Sequence, residues 1–409
     1  MWQAYVSDLQ SGLLIAPIDI PHFSWNVSIK DATLVTTPDH GTGDLFAQNA
    51  TGLTIPYTAF PGNDARSRFE FIEPGRRAIV LFWKTSEDIR DGKLGVPLLW
   101  GAVAGPEGTE KDIAFGLSSV YQLMFDRYAI AEGHFKDGKS TGKQYWRGLS
   151  KRGLASNIGQ LVCNKAGGEL PVDWPYVNEK HVRKGSENDK TFELAISAWD
   201  VANNRAQKLF DDLSAGEDGV DMQWRPYVTD DNQHVRCRFI AGTDQEHFIG
   251  QKARYSFSYS PQGGTAENVK VTFSSPTQRV YGTGSGSDAA VLTAMSEDLT
   301  LVTKRDGYSL VEQSISNTDV NNISVLKSLT SGQLNASRKP HMQISWDYFM
   351  NDEHVPTVGS FWPGESVNLY TRGHPWLADG TYTLRAMEFS GDTSGRVHVL
   401  TDVVENPFA

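Results

Sequence analysis

The stretch Gly133-His-Phe-Lys-Asp-Gly138-Lys139-Ser140 matches, letter by letter, the glycine-rich pattern that cradles phosphates. In that chemistry loop amides bind phosphate oxygens, the lysine reaches the β- and γ-phosphates, and the hydroxyl holds magnesium. The mechanism needs a buried strand before the loop and a helix opening behind it. Residues 117–131 instead place Leu117, Val120, Tyr121, Met124, Phe125 and Tyr128 at helical spacing. Behind the motif, Ser140-Thr-Gly-Lys-Gln-Tyr145 reads as more loop, and residues 194–200 are helical in pattern rather than a strand ending in a metal-binding aspartate. The motif is therefore read as a solvated loop. A second glycine-rich segment, Gly282-Thr-Gly-Ser-Gly-Ser-Asp288, misses the GxGxxG spacing at its third glycine and reads as a flexible turn.

Other constellations fare no better. The ten histidines form no HExxH pattern and no pair near a cysteine. Cys163 and Cys237 are too few for a disulfide scaffold or a four-cysteine metal site, and are expected as free thiols. Asp211-Asp212 and Glu217-Asp218 lack the alternating acceptors of a calcium loop and read as a solvated helix end. No Gly-x-Ser-x-Gly elbow occurs. Asp230/Asp231 and Asp352/Glu353 lie in turn-like segments, whereas glycoside cleavage needs two acids opposed across a cleft. Eleven tryptophans would suit a sugar groove, but Trp83, Trp100 and Trp346 sit inside apolar strand runs, where core packing is the ordinary role. One stretch is basic: Lys136, Lys139, Lys143, Arg147, Lys151 and Arg152 against Asp137, with Tyr145 and Trp146 between. It is suited to nucleic acid or an acidic partner, and a solvated loop or subunit contact is the plainer reading. No catalytic, cofactor-binding or metal-binding residue is assigned, and no cofactor is expected.

The elements that would position these residues point to a mainly β protein with some helix, of α+β class. At 409 residues, 39% hydrophobic and 21% charged, the chain has room for two or three domains with real cores. No apolar run approaches the ~18 residues of a membrane span, so no membrane insertion is expected. The first residues lack the basic and apolar regions of a secretion signal. A net charge of −11 argues against a general nucleic-acid binder, while an acidic wall suits a conduit along which nucleic acid slides without sticking.

Residues 1–112 read as an N-terminal β-domain. Its strands are expected at 1–8, 13–20, 22–30, 68–72, 77–84 and 97–104, with a hairpin at Leu9-Gln-Ser-Gly12. Residues 113–217 read as a mainly helical insertion, with helices at 117–131, 149–166 and 191–213. A hairpin turning at Asp230-Asp-Asn-Gln233 is expected to complete the first β-domain through residues 218–250. Residues 251–409 read as a second β-domain. One helix over 319–337, closed by Pro340, interrupts strands at 269–273, 342–350, 366–372, 381–389 and 396–404.

Family resemblance supplies what motifs do not. The opening Trp2-Gln-Ala-Tyr-Val-Ser-Asp8, Gly12-Leu-Leu-Ile-Ala-Pro-Ile-Asp-Ile20 and Phe23-Ser-Trp-Asn-Val-Ser-Ile29 resemble the start of minor tail proteins from siphophages of actinobacteria. Leu98-Leu-Trp-Gly-Ala-Val-Ala104 resembles one of their strands. Val280-Tyr-Gly-Thr-Gly-Ser-Gly286, Asp306-Gly-Tyr-Ser-Leu-Val-Glu312 and the helix before Pro340 resemble their second half. These proteins are similar to the baseplate-hub fold of contractile phages. The resemblance implies two tube-like antiparallel β-barrel domains and a structural role in the virion tail tip. It implies a homotrimeric ring between a six-fold tube and a three-fold tip, with phage DNA passing through. It also implies contacts with the distal tail protein or tail tube, the tape measure protein, and other minor tail or receptor-binding proteins. Relatives that continue into lytic modules are set aside, because this chain stops just beyond its last expected strand. The alternative reading is a tail protein that binds or cleaves host cell-wall carbohydrate.

Overall fold

The computed structural model describes residues 1–35, 53–62, 64–182, 192–215, 218–252, 255–304, 307–318, 320–357 and 359–406. In chain order the elements begin with β1 (Trp2–Asp8), β2 (Leu14–Ile18), β3 (Ser24–Ser28), β4 (Ala32–Val35), β5 (Leu53–Pro56), α1 (Ala65–Phe71), β6 (Arg77–Trp83), α2 (Ser86–Arg90), β7 (Val96–Gly108) and β8 (Asp112–Ser118). Next come α3 (Val120–Leu123), β9 (Lys143–Leu149), α4 (Lys151–Cys163), β10 (Val172–Asp173), β11 (Phe192–Ser197), α5 (Ala206–Ser214), β12 (Met222–Val228) and β13 (Val235–Ala241). The remainder is β14 (Tyr255–Tyr259), β15 (Glu267–Ser274), β16 (Arg279–Thr283), β17 (Thr293–Glu297), β18 (Glu312–Ser316), α6 (Ile323–Ser337), β19 (His341–Phe349), β20 (Ser366–Thr371), β21 (Gly380–Asp392) and β22 (Arg396–Glu405). No helix among the described residues is long and apolar enough to cross a membrane.

Two compact units divide the chain: Met1–Glu267 with Asp347–Val399, and Asn268–Trp346 with Leu400–Ala409. This division differs from the one expected at residues 112, 217 and 250, because residues 347–399 join the first unit.

In the first unit a six-stranded sheet runs β2-β1-β6-β7-β8-β5, antiparallel throughout. β6 is central and buried from Ala78 to Trp83, which explains its unbroken apolar run. Val80 and Phe82 share a core with Trp100, Ile158, Met222 and Phe239. On the opposite face Trp83 meets Trp2 edge-on at 4.8 Å. Truncating a core phenylalanine such as Phe82 costs about 3–5 kcal/mol. The hairpin β12–β13 turns where expected, with Asn232 at φ 55°. It forms a three-stranded sheet with β10, packs into this same core, and is tied to β2 where Leu14 N–H donates to Gln233 O at 2.8 Å.

The second large sheet follows the order β14-β20-β21-β22-β19-β15, with β3 pairing β21 and β4 pairing β3. The two tube-like barrels expected from the resemblance are not formed. The six-stranded sheet ends at β2 and β5, and the second path ends at β14 and β15. Ala266 N–H donates to Ser258 O at 2.9 Å in the turn joining β14 to β15, but the ladder does not continue along the two strands.

Three further expectations are corrected. The strand expected at 68–72 is helix α1, because Asp64 caps it by accepting from Ser67 N–H at 3.0 Å and Arg66 pairs with Glu70 one turn on. The helix expected at 117–131 is the end of β8, the short α3 and a 3-10 turn at Met124–Asp126. Ser119 and Gln122 cap α3 reciprocally, and Arg127 is already extended. The helix expected at 191–213 begins only at Ala206. Before it β11 pairs with β9, with Glu193 and Ala195 exposed and Ile196 buried. Residues 113–217 are thus a mixture of strands and helices rather than a mainly helical insertion. Helix α4, expected at 149–166, is present, with Ser150 as its N-cap.

In the second unit β16 lies between β17, antiparallel, and β18, parallel. Helix α6 packs on this sheet through Leu326, Thr330 and Leu334, so the helix-on-sheet layout read from the sequence is present. Its N-cap, Asn322, accepts from Ser324 N–H at 2.8 Å. Asp319 lies outside the described residues.

Candidate functional surfaces

The phosphate-loop look-alike does not build a phosphate site. Gly133 and Gly138 adopt φ of 78° and 82° in consecutive turns. Ser140 Oγ donates to His134 O at 2.5 Å, so the hydroxyl that would hold magnesium closes the loop on itself. Strand β9 follows where a helix is needed. Gly282, in the second glycine-rich segment, has a packing role. A β-carbon there would stand 2.4 Å from Thr330 Cγ2, so glycine lets α6 settle onto β16.

The acidic pairs serve turns and ties. Asp231 accepts from Thr229 Oγ1 at 2.5 Å, Gln233 N–H at 2.9 Å and the His234 ring at 3.1 Å. These bonds, led by that from Thr229, hold its carboxyl down at about 2. Asp352 accepts from His354 N–H at 2.9 Å. Asp211 accepts from Lys30 at 3.1 Å and Tyr121 at 2.8 Å; Glu217 lies outside the described residues. Burial, followed by the Asp211 contact, pushes the Tyr121 hydroxyl far up. Trp83, Trp100 and Trp346 are core residues, each at most 3% exposed. Cys163 and Cys237 are free and buried.

The basic stretch divides in two. Lys151 and Arg152 turn inward. Arg152 grips both oxygens of Glu179 at 2.7 and 2.8 Å and stacks 4.3 Å over Tyr176. Lys151 donates its backbone N–H to Asp244 at 2.9 Å and its ammonium to Asp218 O, and burial pulls its pKa down. Asp244 also holds His181 Nδ1 at 2.5 Å, both side chains nearly fully buried. This network pins the start of α4 to segments far along the chain. Nothing local in the sequence marks it, because its partners are brought together only by the fold. Lys143, Tyr145 and Arg147 point outward from β9. Lys143 lies 5.2 Å over Trp199, and Arg147 faces Glu193 at 3.8 Å.

Elsewhere in the first unit, a groove of about 930 Å³ runs past Trp2, Ile18, Phe23, Trp83 and Asn351. A smaller one, about 350 Å³, is lined by Tyr128, Ile130, Ala131, Phe135 and Val201. The described residues contain no cluster of side chains able to hold a metal ion.

No protein-family model and no curated protein matches the chain. Among solved structures it is similar to the 43 kDa tail protein of prophage MuSo2 from Shewanella oneidensis, at 12% identity over 99% of this chain and 98% of that one, TM-score 0.46. It is similar to a tail protein from Neisseria meningitidis MC58, at 10% identity over 98% and 96%, TM-score 0.45. It is also similar to prophage tail protein gp18 from Listeria monocytogenes EGD-e, at 9% identity over 98% and 94%, TM-score 0.41. All three of these neighbours are tail proteins.

Proposed function

We propose that the chain is a structural protein of a phage tail tip, a baseplate-hub-like subunit that acts as scaffold and turns nothing over. Three copies form a ring that joins a six-fold tail tube to a three-fold tip and surrounds the channel through which DNA leaves. The observation that carries this reading is the presence of two large β-sheets in one chain. One has six strands, β2-β1-β6-β7-β8-β5, antiparallel throughout; the other has eight, the path β14-β20-β21-β22-β19-β15 with β3 and β4 attached at β21 and with β14 parallel to β20. A closed ring requires matching surfaces from every subunit. A chain with two such sheets offers six in a trimer, which is the match a hexagonal tube needs.

Sequence motifs in both halves, from Trp2 to Ile29 and from Val280 to Glu312, resemble minor tail proteins and give this arithmetic its setting. The net charge of −11 suits a channel wall that repels phosphate. Neighbours in the assembly are the distal tail protein or tail tube, the tape measure protein, and other minor tail or receptor-binding proteins.

An image of the assembled particle tests the reading. Three copies at the junction of tube and tip are expected, and in solution a species of three times the 45.2 kDa chain mass. Six copies per ring, or a position away from the junction, overturns it. Tight binding to purified host cell-wall glycan, with no place at the junction, favours the carbohydrate reading instead.

A further inference from the structure

We propose that the open face of strands β14, β20 and β21 is a platform for an uncharged oligosaccharide. The strand registers set six side chains on that face in two rows: Ser256, Asn368 and Thr383, then Ser258, Tyr370 and Thr381. All are exposed except Asn368, which is half-buried, while Phe257, Leu369 and Leu384 close the core on the other face. Thr383 Oγ1 donates to Asn368 Oδ1 at 2.8 Å, which fixes the amide across the strands. The next row holds Ser366 and Arg385, and Arg385 is turned to Asp221 and lies 4.2 Å over Phe248. The platform thus runs from Phe248 to Tyr370, each about half exposed, over about 14 Å.

The lack of charge on these six residues selects the ligand. Other open strand faces are charged. Strands β9 and β11 present Lys143, Arg147 and Glu193, and β16 to β18 present Arg279, Glu297 and Glu312. Asp347, Arg396 and His398 lie together on β19 and β22. A sugar hydroxyl both donates and accepts, as serine, threonine and asparagine side chains do. The C–H face of a sugar ring fits the electron-rich face of Tyr370 or Phe248. A charged floor would lose water under such a ligand without gaining a partner. This floor has no charge to desolvate.

Other occupants fit less well. Nucleic acid needs a basic footprint, and none of the six side chains is a cation. A folded protein partner needs an apolar centre, whereas all but Tyr370 are small hydroxyl or amide side chains. Arg372 follows in the loop beyond Tyr370, so an acidic glycan is the competing sugar. The platform belongs to one chain and needs no ring. Three copies at the junction without sugar binding would remove the platform alone.

The test offers the full-length protein cello-, malto-, manno- and chito-oligosaccharides and reads binding by NMR saturation transfer and titration. Polygalacturonate serves as the acidic glycan and oligothymidine as the nucleic acid. At least one neutral oligosaccharide is expected to bind, indifferent to salt, with transfer strongest at its ring C–H protons. Tyr370→Ala and, separately, Asn368→Ala should each weaken it at least about tenfold, whereas Tyr370→Trp should retain it. Tyr145→Ala, on the charged face of β9, should leave it unchanged. All lie on outward faces, and an unaltered thermal midpoint verifies the fold. No binding of any neutral oligosaccharide, binding that Tyr370→Ala and Asn368→Ala leave intact, or loss of binding in Tyr145→Ala overturns the proposal. Binding of polygalacturonate or oligothymidine alone overturns it in favour of an anionic ligand.

Discussion

Gly159 of α4 lies so close to Trp174 that a β-carbon on the glycine would stand 2.3 Å from the indole ring. Trp174 is braced from behind, its ring stacked on Phe210 at 6.1 Å and leaning on Phe239 at 5.1 Å. In an exposed helix interior, exchanging glycine for alanine gains up to about 1 kcal/mol. Here the extra methyl overpacks a filled core, which costs about 1–3 kcal/mol. Gly159→Ala is therefore expected to lower the thermal midpoint despite its better helix propensity. A rise would show that the indole can move.

The same substitution in α6 has the opposite sign. A β-carbon on Gly332 meets nothing within 4 Å. Gly332→Ala should stabilise the second unit by about 1 kcal/mol, read as protection of α6 amides in hydrogen exchange. Unchanged or weaker protection would mean that this face of α6 is not open.

How much of this was legible in the sequence depends on where the deciding contact lies. β6 and the β12–β13 hairpin were legible because buried apolar runs and turn chemistry are local. Arg68-Phe69-Glu70-Phe71 alternates like a strand, yet the segment is helical, and the Asp64 cap decides it. Residues 192–197 alternate too, but apolar residues continuing into α5 made a long helix seem the better fit. The composition of the basic stretch was visible. That Lys151 and Arg152 turn inward was not, because Glu179, Asp218 and Asp244 reach them only through the fold.

Cys163 and Cys237 are 7% and 2% exposed, and burial pushes both thiols up. Thiol reagents attack the thiolate, so the native protein should resist a colorimetric disulfide reagent at about pH 8. Both thiols should titrate once denaturant is added. Fast labelling of either in the native state contradicts the burial of Cys163 and Cys237 in this core.

Glu179 gives the fold an acid-sensitive tie. Its burial alone would raise its pKa, but hydrogen bonds from Arg152 and Ser150 outweigh that and hold it below 4.5. A carboxyl depressed in the folded state stays ionised there while the unfolded chain takes up protons. Its stabilisation is thus complete above the unfolded value and is lost as pH falls through the folded one. The pair is partly exposed, which limits it to about 1 kcal/mol at neutral pH. Glu179→Gln should therefore unfold at lower urea than the parent at about pH 7, and the gap should narrow towards about pH 3. A gap that stays constant over that range would mean that the lost stability comes from packing at the start of α4 rather than from the charge on Glu179.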